Sequence, residues 1–212
     1  MNVKRVLAFC GSSPGARPEY AAGAAELGRL LAERELELVY GGASVGLMGA
    51  IADATLSAGG TAIGVIPRQL VEAEVAHASL TELHVVETMH ERKALMSELS
   101  DAVIALPGGS GTLDEFFELF TWSQLGLHRM PLGLLNLAGY WEPLLDSLRH
   151  AVNERFLRAE HFETLIVSRE PGALLDELAA HVSRPVDKWL DRRGDQAVPN
   201  TRSPASPNPG RM

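Results

Sequence analysis

Hydrophobic and polar positions along this chain fall into two kinds of segment that alternate from residue 3 to residue 181. One kind is a short apolar or β-branched run, typical of buried strands, and the other has apolar residues three or four positions apart, typical of amphipathic helices. The short runs predict strands over residues 3–10, 36–40, 61–66, 83–86, 102–106, 131–135 and 165–167. The spaced segments predict helices over residues 18–33, 45–57, 89–100, 112–125, 140–154 and 171–181.

The regular alternation of strand and helix predicts an α/β fold. Several predicted strands are apolar on both faces, as in a parallel sheet that helices cover on both sides. We therefore expect a single Rossmann-like domain over residues 1–190, built on a doubly wound parallel sheet of about seven strands with helices on both faces. The sequence shows no internal repeat and no second domain.

The last segment, residues 191–212, is rich in proline and has no apolar periodicity. Proline lacks a backbone N–H and fits neither a helix interior nor a central strand. We expect a flexible tail that the fold does not need. The alternative is a docking peptide for a proline-recognising partner.

Charge excludes one large class of partner. The chain has 19 Lys and Arg against 27 Asp and Glu, a formal net charge of −8. An acidic protein repels nucleic acid polymers, because non-specific binding to them depends on Lys and Arg at the phosphates. An anionic ligand would therefore be small and held by a few placed groups, such as backbone N–H dipoles and isolated arginines.

Composition also bears on metal binding and compartment. Cys10 is the only cysteine, which excludes a disulfide framework and a zinc site of paired thiolates and is typical of a reducing compartment. The seven histidines show no metal-ligand spacing, so we expect no metal. No stretch approaches the roughly 18 apolar residues of a membrane helix, and the first residues do not resemble a secretory leader. We expect a cytoplasmic protein that does not bind membranes.

Glycine-rich loops follow three predicted strands, at residues 11–15, 41–46 and 107–112. Ligands bind at the carboxyl ends of parallel strands, where glycines let backbone N–H groups approach a phosphate. In the first two loops the candidate phosphate contacts are Ser12, Gly41 and Gly42.

These loops do not match the common nucleotide-binding patterns. The first lacks G-x-G-x-x-G, and the second strand ends at Tyr40, where a dinucleotide-binding protein has an acidic residue. No Gly-Lys dipeptide exists to form a Walker A loop. The sequence therefore predicts a mononucleotide or a sugar phosphate as ligand.

The third loop leads into a predicted helix that opens with Thr112, and Glu115 follows three residues later. An isolated T-x-x-E pattern at this point is a capping box, in which the two side chains bind the free N–H groups of the first turn. The preceding Gly-Gly-Ser-Gly run at residues 108–111 is not needed by a capping box. This run favours a second interpretation, phosphate binding at the helix N-terminus.

Arg92 lies near the centre of the apolar stripe of the helix predicted over residues 89–100. The stripe consists of Met89, Leu95, Met96 and Leu99. A guanidinium there needs either an anionic partner or a route to solvent. The simplest interpretation is that Arg92 extends to solvent or pairs with a carboxylate close by. Because this helix follows the fourth strand, we expect Arg92 and the adjacent Lys93 at the same edge of the sheet as the glycine-rich loops.

Several short motifs, in order along the chain, resemble one known family. They are Cys10-Gly11-Ser12-Ser13, Tyr40-Gly41-Gly42 with Gly46-Leu47-Met48-Gly49, Gly64-Val65-Ile66-Pro67, Met89-His90-Glu91-Arg92-Lys93, and Leu-Pro-Gly-Gly-Ser-Gly-Thr-Leu-Asp-Glu at residues 106–115. The family is the Lonely Guy (LOG) family, the cytokinin riboside 5′-monophosphate phosphoribohydrolases. The resemblance covers the chain except for its tail.

The resemblance implies hydrolysis of the N-glycosidic bond of an N6-modified adenosine 5′-monophosphate, giving free base and ribose 5-phosphate. It implies a homodimer that needs neither cofactor nor metal. Arg92 and Glu115 match the family's catalytic positions. The positions that match its nucleotide contacts are Glu74, Lys93, Gly109, Ser110, Gly111, Thr112, Leu113, Asp114 and Thr121.

The chemistry of this reaction agrees with these roles. Cleaving a ribosyl bond builds positive charge on the sugar. A nearby carboxylate, such as that of Glu115, either stabilises this charge or orients the attacking water. The helix N-terminus and the glycine N–H groups would hold the 5′-phosphate. We expect Arg92 to orient Glu115 and to offset charge near the phosphate or the departing base.

Two rival interpretations belong to other classes. Members of this family are often labelled lysine decarboxylases, a chemistry that normally needs pyridoxal phosphate on a lysine, and Lys93 is the sole plausible anchor. The other rival is a non-enzymatic carrier of a phosphorylated ligand such as molybdenum cofactor. The presence of both Arg92 and Glu115 favours the enzyme over the carrier. The sequence does not distinguish isopentenyl-adenine, adenine or another purine as the preferred base.

Overall fold

The computed structural model describes residues 3–72 and 76–182, which form one seven-stranded sheet with helices on both faces. The strands are β1 (Arg5–Phe9), β2 (Glu37–Tyr40), β3 (Ala62–Pro67), β4 (Glu82–Val86), β5 (Ala102–Ala105), β6 (Leu132–Leu135) and β7 (Leu165–Ser168). The helices are α1 (Pro18–Glu33), α2 (Gly46–Ser57), α3 (Arg68–Glu72), α4 (Met89–Glu98), α5 (Ser110–Gln124), α6 (Glu142–Asn153), α7 (Ala159–Phe162) and α8 (Pro171–Ala180). The predicted α/β fold is confirmed.

All neighbouring strands pair in parallel, in the order β4-β3-β2-β1-β5-β6-β7. Every residue of β3 and β5 is buried, which explains why these strands are apolar at consecutive positions. β4 lies at an edge of the sheet and exposes Glu82, Leu83 and Val85. The continuous apolar runs therefore mark the centre of the sheet.

The helices pack in two layers, one on each face of the sheet. Apolar side chains of α1, α2 and α8 form one core with the sheet, among them Leu27, Ile51 and Leu174. Side chains of α4, α5 and α6 form the other core, among them Met96, Phe116 and Leu145. The apolar stripes of the sequence thus correspond to two separate cores.

The connection through α4 places the functional elements. It leaves β4 at one edge of the sheet and returns to β5, which pairs with β1 near the middle. Strand order reverses at β1 and β5, and in such sheets a ligand crevice opens at the carboxyl ends of the strands on either side of the reversal. The loops after β1 and β5, two of the three glycine-rich loops, meet there.

The differences from the predicted elements are small. α3 and α7 were not predicted, because helices of five and four residues are too short to show a periodic pattern. Within the described ranges no helix is long and apolar enough to cross a membrane. Two predictions, the tail over residues 191–212 and the substrate contact at Glu74, lie outside the described residues.

Candidate active site

The N-terminus of α5 differs from the predicted helix start. α5 begins at Ser110, and its N-cap Gly109 has no side chain to form a cap. Thr112 and Glu115 therefore lie inside the helix, and the capping-box interpretation of this pair is wrong. Gly109, Ser110 and Gly111 are exposed at the helix end, whose first N–H groups have no partner within the helix.

A capping box does exist, but on another helix. The Thr88 hydroxyl accepts a hydrogen bond from the Glu91 N–H at 3.1 Å, and the Glu91 carboxylate accepts one from the Thr88 N–H at 3.4 Å. This box starts α4. It fixes the first turn of the helix that carries Arg92 and Lys93.

The turn before α5 has each of its carbonyl oxygens engaged. The Pro107 oxygen accepts a bond from the Gly11 N–H at 3.0 Å, and the Gly109 oxygen accepts one from the Leu113 N–H at 3.1 Å. The Gly108 oxygen accepts a bond from the Tyr140 hydroxyl at 2.6 Å. With its acceptors bound to protein, this turn presents mainly N–H groups to a ligand, which suits an anion.

Arg92 is buried, with 9% of its surface exposed. Its Nε donates to the Val65 carbonyl at 3.1 Å, and its Nη2 donates to the Gly41 carbonyl at 3.3 Å. Its Nη1 lies 3.2 Å from Oε1 of Glu115. The structure therefore excludes an Arg92 that extends into solvent, and it brings together the two side chains predicted to be catalytic.

The carboxyl group of Glu115 is also largely buried, since 11% of the side chain is exposed. Burial raises the pKa of Glu115 above its ordinary value, and the Arg92 guanidinium opposes that shift. A carboxylate in such surroundings interacts strongly with positive charge that develops nearby. Arg92 thus favours the ionised form of a group whose burial favours the neutral form.

Gly41 and Gly42, which were predicted as phosphate contacts, are both buried. A Cβ atom on Gly41 would lie 2.0 Å from Nη2 of Arg92, so the missing side chain leaves room for the guanidinium. Gly42 has a φ of 75°, and its carbonyl accepts a bond from the His77 N–H at 2.9 Å. Their contact with phosphate stays a prediction, while the structure gives both a packing role.

Lys93 lies between two carboxylates of α5. Its Nζ is 3.3 Å from Oδ2 of Asp114 and 3.1 Å from Oε2 of Glu118. Partial burial lowers the pKa of Lys93, but the bonds to Glu118 and Asp114 outweigh it and raise the pKa above its ordinary value. Glu118 was not predicted as a site residue, although its position four residues after Asp114 places both on one helix face.

Thr121 is the predicted substrate contact that the structure sets apart from the others. It is exposed on α5, and a helix rise of about 1.5 Å per residue places it roughly 16 Å along the axis from Ser110. A phosphate bound at the helix N-terminus would therefore lie far from Thr121 of the same chain, and the contact of Thr121 with a nucleotide stays a prediction. Among the other described contacts, Gly109 to Asp114 lie in the first turns of α5, and Lys93 lies on α4.

A cleft of about 290 Å³ opens at the carboxyl ends of β1 and β5. Ser12 of the first glycine-rich loop lines it, together with Gly11, Gly108 and Tyr140. Tyr140 was not predicted as a site residue, because a tyrosine at the start of a predicted helix carries no functional pattern. Within residues 3–72 and 76–182 there is no group of three or more His, Cys, Asp or Glu side chains that could hold a metal ion.

These features define a class of protein: a Rossmann-like α/β protein with a buried Arg–Glu pair beside an exposed helix N-terminus. A family model described as "Possible lysine decarboxylase" matches residues 48–178. The cytokinin riboside 5′-monophosphate phosphoribohydrolase of Rhodococcoides fascians is 52% identical over 168 residues, which are 79% of this chain and 85% of that protein. The chain belongs to this family, the LOG family of cytokinin riboside 5′-monophosphate phosphoribohydrolases, so the resemblance found in the sequence is confirmed.

Other relatives agree with this assignment. LOG7 of Arabidopsis thaliana, which carries the same enzyme name, is 49% identical over 154 residues, 73% of this chain and 71% of that protein. Among solved structures, the molybdenum cofactor carrier protein of Chlamydomonas reinhardtii superposes with a TM-score of 0.64 at 18% identity, covering 84% of this chain and 99% of that chain. At this identity the likeness shows a shared fold and nothing about ligand.

Proposed function

We propose that this protein hydrolyses the N-glycosidic bond of cytokinin riboside 5′-monophosphates, releasing the free base and ribose 5-phosphate. The observation that carries the proposal is the buried ion pair of Arg92 and Glu115, 3.2 Å apart, beside the N-terminus of α5. Relatives that are 52% and 49% identical to this chain and carry this enzyme name support it.

In this reaction the departing base leaves positive charge on the ribose ring. The Glu115 carboxylate stabilises that charge or orients the attacking water, and its burial strengthens the interaction. Arg92 holds the carboxylate in place and in its ionised form. The N–H groups of Gly109, Ser110 and Gly111 hold the 5′-phosphate, which fixes the ribose against Glu115.

The environment of Lys93 does not favour the decarboxylase label. A lysine that forms a Schiff base needs a neutral amine, whereas two carboxylates raise the pKa of Lys93 and keep it protonated. An absorbance scan of the purified protein mixed with pyridoxal phosphate tests this. We expect no Schiff-base band, and a band that disappears in Lys93→Arg would support the decarboxylase.

The direct test is release of base from AMP and from its N6-isopentenyl form, measured by liquid chromatography. Replacing Glu115 with Gln should lower kcat by about 10² or more without loss of the fold. Glu98→Gln, which changes an exposed glutamate at the end of α4, is the matched control and should leave kcat unchanged. Near wild-type turnover in Glu115→Gln would overturn the assignment, and stoichiometric binding without base release would favour a carrier.

We also propose a cytoplasmic homodimer. The position of Thr121 supports the dimer, because a residue about 16 Å along α5 from Ser110 reaches a bound nucleotide more readily from a second copy of the chain. Exposed apolar side chains near the end of α5, Leu125 and Leu127, would be covered in a dimer. Light scattering during gel filtration should give twice the mass of the 212-residue chain. The single cysteine, Cys10, is buried and unpaired, which agrees with a reducing compartment.

A further inference from the structure

We propose that Tyr140 is a positioning residue for the turn that binds the substrate phosphate. Its hydroxyl holds the Gly108 carbonyl, and this bond directs the N–H of Gly109 toward the phosphate. The inference rests on the proposed function, because it concerns the phosphate of the same substrate.

The peptide unit between Gly108 and Gly109 carries both the oxygen that Tyr140 holds and an N–H that faces the other way. The C=O of one residue and the N–H of the next point in opposite directions across a planar trans peptide. The Tyr140 hydroxyl donates to the Gly108 oxygen at 2.6 Å, so the Gly109 N–H points away from Tyr140. Holding the oxygen therefore sets the direction of the adjacent donor.

This peptide needs such a restraint more than its neighbours do. The Pro107 and Gly109 carbonyls accept bonds from backbone N–H groups, whereas the Gly108 carbonyl is held by a side chain. Gly109 is exposed, and a Cβ atom on it would meet no atom within 4 Å in the described residues outside 108–110, so packing does not fix it. Two consecutive glycines also rotate more freely than other residues.

The ring of Tyr140 is held independently of its hydroxyl. It packs edge-to-face against Tyr20, with centroids 5.6 Å apart, and against Trp141, with centroids 4.8 Å apart. Trp141 is buried, and its Nε1 donates to the Ala105 carbonyl at the end of β5 at 3.2 Å. Replacing Tyr140 with Phe should therefore remove one hydrogen bond and keep the ring in place.

The experiment compares Tyr140→Phe with Tyr20→Phe in the full-length protein. The Tyr20 hydroxyl does not bond the turn in the part of the chain that the structure describes, so Tyr20→Phe is a matched removal of a neighbouring hydroxyl. Calorimetry measures the Kd of ribose 5-phosphate, and base release from AMP measures kcat and KM. Circular dichroism and thermal unfolding measure the fold.

We expect Tyr140→Phe to raise the Kd of ribose 5-phosphate and the KM for AMP about tenfold, the effect of losing one hydrogen bond that orients a charge-binding group. The change in kcat should be smaller, and Tyr20→Phe should match the wild type. Equal Kd values for the two variants, or a much lower melting temperature of Tyr140→Phe alone, would overturn the inference. If the wild type binds ribose 5-phosphate but releases no base, the proposed function fails, and the binding comparison still decides the role of Tyr140.

Discussion

Gly41 offers a test of the ion pair that leaves both of its members unchanged. Arg92 passes so close to Gly41 that the hydrogen of the glycine is the only side chain that fits there. A Cβ atom would lie 2.0 Å from Nη2 and 3.2 Å from Cζ of the guanidinium. Gly41→Ala should therefore displace Arg92 while both ionisable groups remain in the protein.

The size of the displacement follows from contact distances. Ordinary contacts between such atoms are about 3.5 Å, so the end of Arg92 must move by about 1.5 Å. Arg92 donates to the carbonyls of Val65 and Gly41 and to the Met89 sulfur, and its Nη1 lies 3.2 Å from the carboxylate of Glu115. A movement of this size cannot preserve all four contacts. Misplacing a catalytic group by about 1 Å can cost about 10² in rate, so we expect kcat/KM to fall about 10²-fold, or about 2.7 kcal/mol.

The assay is base release from AMP, with thermal unfolding to check the fold. Gly172→Ala is the matched control, because a Cβ atom at this position in α8 meets its nearest neighbour, Nη2 of Arg34, at 3.6 Å. The control should keep wild-type kcat/KM. A folded Gly41→Ala that retains more than about a third of the wild-type kcat/KM would refute the reasoning, since a misplaced Arg92 should cost far more.

Two further predictions concern the same elements. Because burial raises the pKa of Glu115 and activity needs the carboxylate, kcat/KM should fall at acid pH with a midpoint above the ordinary glutamate value, and Arg92→Gln should move that midpoint to higher pH. A midpoint that Arg92→Gln leaves in place would contradict the coupling. Gly108→Ala places a Cβ atom 2.1 Å from Oγ1 of buried Thr112, so it should weaken binding of ribose 5-phosphate at least tenfold in calorimetry, unlike Gly172→Ala.

The fold could be predicted from the sequence because its signals are local and repeated. Each central strand is a continuous apolar run, and each long helix has an apolar stripe, so element type follows from spacing alone. The helix start at residue 112 was predicted two residues late, because Thr112 and Glu115 have the spacing of a capping box and Gly109 has no side chain to mark an N-cap. Local patterns thus locate an element more reliably than they locate its first residue.

The site could be predicted only in part, because its contacts join distant parts of the chain. An arginine on an apolar stripe indicates that Arg92 needs a buried partner, but no spacing rule connects it to Gly41 or to Val65. The bond from Tyr140 to Gly108 spans 32 residues. These contacts follow from the parallel sheet, which brings the segments after β2, β4, β5 and β6 to the same edge as the end of β3.

The charges at this edge lead to a last prediction, about salt. The charged cluster at this edge consists of two basic groups, Arg92 and Lys93, and of the three carboxylates that pair with them, those of Asp114, Glu115 and Glu118. The cluster therefore has no net positive charge, and the whole chain carries −8. If backbone N–H groups hold the phosphate, short-range bonds supply the affinity and no long-range attraction exists for salt to screen. Added salt shortens the Debye length, to about 8 Å at physiological ionic strength, and so also weakens the repulsion between AMP and the acidic protein. The KM for AMP should therefore stay constant or fall as salt is added. A KM that rises steeply with salt would mean that the phosphate displaces the carboxylates from Lys93 and binds its ammonium group directly.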